Sequence, residues 1–128
     1  MEAKNPVIWF EIYVDNTKRA QKFYETILNI QLNELPMPEI NQSMEMLFFP
    51  SNMEQHGASG ALVKMDGFKA GSNSTVIYFH SEDCTTEQNR VETAGGKVVQ
   101  PKMSIGEYGF ISLCIDTEGN MFGLHSLK

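Results

Sequence analysis

One glutamate and two histidines are the side chains of this sequence best suited to chemistry, and all three lie in or beside strand-like segments. Glu11 lies within VIWFEIYV, His80 follows TVIYF, and His125 lies within MFGLHS. Near an apolar cavity they could act as acid and base, because burial raises a carboxyl pKa and disfavours the charged form of histidine. They could instead contact a ligand directly. If these side chains have no functional role, Glu11 is held by a hydrogen bond to the neighbouring sheet, and both histidines lie at strand ends, half in solvent.

Two kinds of periodicity predict the elements that carry these side chains in the first half of the chain. Residues 7–14 alternate in a period-two pattern, which indicates a strand with two different faces. Apolar residues at helical spacing predict a helix over Thr17–Leu28, closed by a left-handed Asn29. Further extended segments are expected at residues 31–35, 44–49 and 60–65.

The second half repeats this order after a glycine-rich connection at residues 66–74. Thr85 with Gln88 fits a capping box, and the helix that it begins should end at Gly95. Pro101 is expected to break the strand that follows. Strands are predicted at residues 75–79, 97–99, 110–115 and 121–127.

The repeated order predicts an α+β fold in which two βαβββ modules form a concave sheet around one cavity. A single domain over residues 1–128 would comprise module one (about 5–65), the connection (66–74) and module two (75–128). One module of roughly 60 residues would be marginal alone, so the two must share a core.

Composition limits the partners and the location of the protein. The net charge is −6, and no cluster of Lys and Arg could follow a phosphate backbone, which argues against nucleic acid. No apolar run is long enough for a membrane helix, and the first residues do not resemble a signal peptide, so a cytoplasmic location is expected. Cys84 and Cys114 form no CxxC pair and are expected to be reduced and buried.

Three stretches, at residues 10–28, 94–110 and 116–126, resemble the vicinal oxygen chelate superfamily. This superfamily contains glyoxalase I, extradiol dioxygenases and bleomycin-resistance proteins. The resemblance implies a divalent metal held by His, Gln or Glu side chains from both modules, acting as a Lewis acid on the substrate. Within the superfamily, the second and third stretches look most like small glyoxalase-like bacterial proteins.

The resemblance also identifies the positions where the metal ligands should stand. They fall at Trp9, at Val76, at Gly123, and near Ala61 or Leu62. None of these side chains binds a metal. We therefore expect neither a metal nor another cofactor, and standard glyoxalase I chemistry is disfavoured.

Residues two or four positions from the lost ligands share their face of the sheet, so polar and aromatic side chains are expected to face the groove. Core packing would explain the aromatic residues equally well. The stretch IGEYGF, at residues 105–110, is either a loop at the cavity mouth or a plain hairpin loop. No catalytic residue is assigned. The expected ligand-binding residues are Trp9, Glu11, Tyr13, Phe48, Tyr78, His80, Tyr108 and His125.

Three functional hypotheses follow. The first is a metal-independent protein that sequesters or senses a planar or aromatic small molecule, as bleomycin-resistance proteins bind without transforming. The resemblance then implies a homodimer with ligand at the interface. The second is a glyoxalase-type lyase or isomerase that uses Glu11 with His80 or His125, with or without a displaced metal. The third is an interaction subunit whose groove is filled by its own side chains.

Overall fold

The computed structural model describes residues 5–34 and 44–128. Neither α-helix in these ranges is long and apolar enough to cross a membrane. Residue 35, the last of the predicted extension at 31–35, lies outside the described residues. In chain order the elements are β1 (Trp9–Tyr13), α1 (Thr17–Leu28), β2 (Met44–Phe48), β3 (Ser59–Met65), β4 (Ile77–His80), α2 (Cys84–Val91), β5 (Lys97–Ser104), a 3₁₀ turn (Gly106–Tyr108), β6 (Phe110–Ile115) and β7 (Met121–Ser126).

The first sheet has the strand order β1-β3-β2, with β1 parallel to β3 and β2 antiparallel to β3. Asn33 extends this sheet beyond β2. It donates its N–H to the carbonyl oxygen of Phe48 at 3.0 Å and accepts the N–H of Phe48 at 2.8 Å. This bridge occupies the position of the second strand in a βαβββ unit.

The second sheet has the order β4-β7-β6-β5, in which only β4 and β7 are parallel. In both sheets the strand before the helix therefore pairs with the last strand of its half. We call β1, α1, β2 and β3 the first unit and β4, α2 and β5–β7 the second unit. The predicted α+β class with βαβββ modules is confirmed.

A single core joins the two units. Phe23 and Tyr24, on the apolar face of α1, are buried and pack at 5.8 and 5.7 Å from the ring of Phe122 in β7. Cys84 and Cys114 are free and fully buried in the same cluster, as predicted. The core of each unit is completed by side chains of the other unit, as expected for units of this size.

A turn at residues 116–120 of the second unit caps α1 of the first. The Glu118 side chain is fully buried and accepts the N–H groups of Asp15 and Asn16, each at 2.9 Å. It also pairs with Arg19, whose Nε lies 2.6 Å from Oε2. Burial alone would raise the pKa of Glu118, but the bonds from Arg19, Asn16, Thr117 and Asp15 hold it below the usual range.

Asp116 and Asn120 complete this attachment. The hydroxyl of Tyr24 donates to Asp116 at 2.5 Å, and the Asn120 side-chain amide donates to the carbonyl oxygen of Tyr13 at 2.9 Å. Asp116 also accepts the N–H of Asn120 at 2.9 Å, which fixes the turn. Burial raises the pKa values of both Asp116 and Tyr24. The turn is thus a polar link between the units.

The second helix begins differently from the prediction. Asp83 is its N-cap, and its carboxylate accepts the N–H of Thr85 at 3.0 Å, so the predicted capping box of Thr85 and Gln88 is wrong. Aspartate is among the strongest N-cap residues and takes the position first. The Gln88 side chain instead accepts the N–H of Lys102 at 2.7 Å.

The predicted break at Pro101 is also wrong, because β5 runs through it to Ser104. This strand lies at the edge of the second sheet, where a missing N–H need not interrupt the ladder. The register shifts between Val98 and Gln100 and again before Met103, which accommodates the proline.

The N-cap of α2, Asp83, should make the stability of the fold depend on pH. Lys102 lies 2.9 Å from Asp83, and its bond, followed by that from the N–H of Thr85, lowers the pKa of Asp83. A lowered pKa stabilises the fold above the unfolded value, near 3.9, and this contribution is lost as pH falls through the folded value. Asp83→Asn should therefore lower Tm more at about pH 7 than at about pH 2.5 in circular dichroism melts. An equal decrease at both pH values would contradict this origin.

Candidate functional site

Alternation along β1 separates a core face from a face turned away from the helices, which we call the open face. Ile12 is buried in the core, whereas Trp9, Glu11 and Tyr13 lie on the open face. Parallel pairing with β3 places Ala61 beside Glu11. Ala61 is fully buried there.

Glu11 is held by two neighbours on its own strand. Trp9 Nε1 donates to Oε2 at 3.3 Å, and the Tyr13 hydroxyl donates to Oε1 at 2.9 Å. The bond to Glu11, together with partial burial and the nearby charge, raises the pKa of Tyr13. The expected alternative, a hydrogen bond from the neighbouring sheet, is not what fixes Glu11. Both carboxylate oxygens are positioned at the surface of the open face.

Aromatic rings flank this carboxylate on two sides. The rings of Trp9 and Phe48 lie 6.0 Å apart, and those of Tyr13 and Phe68 lie 5.4 Å apart. Trp9 is 41% exposed and Phe68 is 54% exposed. Sequence reasoning missed Phe68, because it lies in the segment assigned as a connection. Its N–H donates to the carbonyl oxygen of Met65 at 3.1 Å, and this tight turn brings it to the site.

The open face of the second sheet is built around a tyrosine and a glycine. Tyr78 pairs with Gly123, and a Cβ atom on Gly123 would overlap the Cδ2 and Cε2 atoms of Tyr78. The ring of Tyr78 therefore lies across Gly123, one of the positions where the resemblance implied a metal ligand. Tyr78 is 47% exposed, so its other side is open to solvent.

The two histidines lie beside each other on this face but differ in their surroundings. His125 Nε2 lies 2.7 Å from the carbonyl oxygen of Tyr108, and because a carbonyl only accepts, this nitrogen carries the proton. His80 pairs with His125 in the ladder, yet its side chain is largely exposed and lies 3.8 Å from that of Glu82. His80 is therefore solvated, whereas the ring of His125 is fixed.

Six of the eight expected ligand-binding residues line three separate cavities. Trp9 borders a cavity of about 590 Å³ beside the loop at residues 50–59. Glu11 and Tyr13 line one of about 250 Å³ that also touches Asn120 of the second unit. Tyr78, His80 and His125 line a third, of about 560 Å³, together with Ile105 and Ile111.

The expected residues thus form two groups in this chain. Trp9, Glu11, Tyr13 and Phe48 are in contact on the first sheet, and Tyr78, His80 and His125 share a cavity on the second. Tyr108 joins the second group only through its carbonyl oxygen, because its side chain is exposed.

The residues at the expected metal positions do not fit a metal. Neither Trp9, Val76 and Gly123 nor the alternatives Ala61 and Leu62 carry a side-chain oxygen or imidazole donor. Over residues 5–34 and 44–128, no three His, Cys, Asp or Glu side chains converge as ligands. These residues therefore do not support metal-dependent chemistry at this site.

The model of the Glyoxalase/Bleomycin resistance protein/Dioxygenase superfamily matches residues 7–124. The chain belongs to this superfamily. No curated protein matches the sequence. The assignment agrees with the βαβββ units and confirms the resemblance read from the sequence.

Solved structures of the superfamily are similar in fold. Glyoxalase I from Zea mays is 19% identical with a TM-score of 0.74, over 94% of this chain and 46% of that one. TnmS3, an antibiotic binding protein from Streptomyces sp. CB03234, is 22% identical with a TM-score of 0.66 over all of both chains. The trypanothione-dependent glyoxalase I of Leishmania major is 18% identical with a TM-score of 0.67, over 96% of this chain and 87% of that one. The chain spans about half the length of the maize enzyme.

Proposed function

We propose that the protein binds a planar or aromatic small molecule on its open faces, without a metal, and sequesters or senses it. The observation that carries this proposal is the ring of Tyr78 lying across Gly123. At a position where the resemblance implies a metal ligand, this chain presents an aromatic surface, which suits stacking rather than chelation. The similarity in fold to an antibiotic binding protein supports the same class of function.

Exposed apolar side chains on the second sheet add support. Val76, Tyr78, Val99 and Met103 are each more than a third exposed. Exposed apolar side chains that share one face of a sheet are candidates for ligand or protein contacts. We propose that a second copy of the chain covers part of this surface, so that the functional form is a homodimer. Sedimentation equilibrium would test it, and a monomer at all concentrations would contradict it.

The alternative of a glyoxalase-type lyase or isomerase is less well supported. It requires Glu11 to act with His80 or His125 on one substrate. Glu11 lines the cavity of about 250 Å³, whereas both histidines line the cavity of about 560 Å³. General acid–base partners must lie within hydrogen-bond reach of the same reacting group. The separation in one chain therefore favours binding over catalysis.

Calorimetric titration with quinoline, a planar probe that is neutral at about pH 7.5, tests the binding function. We expect saturable binding that EDTA does not change, and Tyr78→Ala should weaken it about tenfold, because stacking on one ring is worth roughly 1–3 kcal/mol. Leu127→Ala is the matched control, since Leu127 is also an exposed apolar residue but follows β7. Absence of binding, or binding only after a metal is added, would overturn the proposal.

A further inference from the structure

The Glu11 carboxylate accepts hydrogen bonds from two uncharged donors but has no positively charged partner. Its two oxygens receive the Trp9 N–H and the Tyr13 hydroxyl. In the part of the chain that the structure describes, no Lys or Arg lies within ion-pair distance of it. Lys69 lines the same cavity without pairing with it. A fixed negative charge therefore remains at an exposed position.

The aromatic rings around Glu11 attract a positively charged group, as the carboxylate does. Trp9 with Phe48 and Tyr13 with Phe68 form two aromatic pairs on either side of the carboxylate. The face of an aromatic ring attracts a cation, most strongly for tryptophan. A carboxylate between aromatic rings thus combines direct charge attraction with cation–π attraction, and both act on one positively charged group.

We propose that the open face of the first sheet recognises an organic cation, a protonated amine or an N-alkylated heteroaromatic ring, with Glu11 as its counter-ion. This inference rests on the proposed small-molecule function and names the chemical class of its ligand. The cation lies against the Glu11 oxygens and the exposed part of the Trp9 ring, which its hydrogen bond holds beside them. The apolar part of the ligand extends over the neighbouring side chains of the sheet.

The charge of the whole protein supports this choice. A net charge of −6 attracts cations and repels anions at long range. Trp9 Nε1 and the Tyr13 hydroxyl are already engaged with Glu11, so they are not free to bind an anionic ligand. The site is therefore complementary to positive charge in both its local and its overall field.

Fluorescence of Trp9 provides a direct test, because it is the only tryptophan in the sequence. The probes are 1-methylquinolinium, as its chloride, and quinoline, which share one ring system and differ in charge at about pH 7.5. Quenching is corrected for collisions with N-acetyltryptophanamide. We expect the cation to bind at least about tenfold more tightly than quinoline, a preference that added salt reduces.

Two variants with the same change in net charge identify the residue responsible. Glu11→Gln keeps the shape of the side chain and should reduce 1-methylquinolinium affinity about tenfold while leaving quinoline binding unchanged. Glu92→Gln, at the exposed end of α2, should change neither. Circular dichroism would verify that both variants are folded.

Any other result contradicts the inference, and each such result excludes a different part of it. Equal affinity for both probes, or calorimetric binding of 1-methylquinolinium without any change in Trp9 emission, removes the cation site and leaves the small-molecule function intact. A preference for the cation that survives Glu11→Gln means that Glu11 is not the counter-ion. If neither probe binds by either method, the proposed function fails as well.

Discussion

Replacing Glu118 by alanine is expected to lower the free energy of unfolding by about 3 kcal/mol, because several buried or half-buried donors lose their acceptor together. These donors are the N–H groups of Asp15 and Asn16 and the guanidinium of Arg19. Arg19 is half exposed, so most of the effect comes from the two backbone groups. Urea unfolding followed by circular dichroism would measure it.

Two comparisons make this expectation specific. Glu118→Gln keeps one oxygen acceptor and should be less destabilising, and the exposed Glu92→Ala should change stability by less than about 0.5 kcal/mol. Because the pKa of Glu118 is lowered in the fold, its contribution is present above the unfolded pKa and disappears as pH falls through the folded value. A Glu118→Ala protein as stable as Glu92→Ala would refute the role of the turn.

Gly60→Ala is the second change with a large expected effect. A Cβ atom at Gly60 would overlap the carbonyl oxygen of Phe10 and lie 2.7 Å from Cγ of its ring. Gly60 is the partner of Phe10 in the pairing of β3 with β1, and β3 is also paired with β2 on its other side. The backbone at Gly60 therefore cannot move aside without breaking the ladder. We expect a loss of about 3 kcal/mol, at the upper end of the usual cost of overpacking, measured as a lower urea midpoint.

Gly123→Ala is the matched comparison on the second sheet. The three atoms nearest its Cβ are all ring atoms of Tyr78, which is 47% exposed and can rotate into solvent. Stability should fall by less than about 1 kcal/mol, whereas quinoline binding should weaken because the stacking surface moves. Equal destabilisation by the two substitutions would show that Tyr78 is fixed rather than movable.

Local signals were sufficient to predict the first helix and the faces of the strands. The helix matches Thr17–Leu28 residue for residue, because its apolar spacing agrees with an Asn16 cap that accepts the N–H of Arg19 at 3.0 Å. Asn29 closes it in the left-handed conformation, with φ of 54°. Alternation also predicted correctly that Trp9, Glu11 and Tyr13 share a face.

Features that depend on distant partners could not be read from local patterns. Glu118 looked like a turn residue, since its partners Asp15 and Asn16 lie about a hundred positions away. Pro101 looked like a strand breaker, because whether a strand lies at an edge is decided by the whole sheet.

The division of the site between the two sheets has the same origin. Strand alternation predicts which side chains share one face, whereas the placement of one sheet against the other follows from the common core. Binding of a ligand by the residues on these faces stays a prediction, and the titrations described above test it for Glu11 and Tyr78.

The link at residues 116–120 has a consequence for biosynthesis. Its bonds to Tyr24 and Tyr13 span 92 and 107 positions, so forming them closes very large loops, and long-range contacts of this kind slow folding. A ribosome makes the chain from its N-terminus, and the N–H groups at the start of α1 remain without their acceptor until Glu118 has emerged. The first half therefore cannot reach its final state before Glu118 has emerged, and until then chaperones would meet it with part of its apolar surface uncovered.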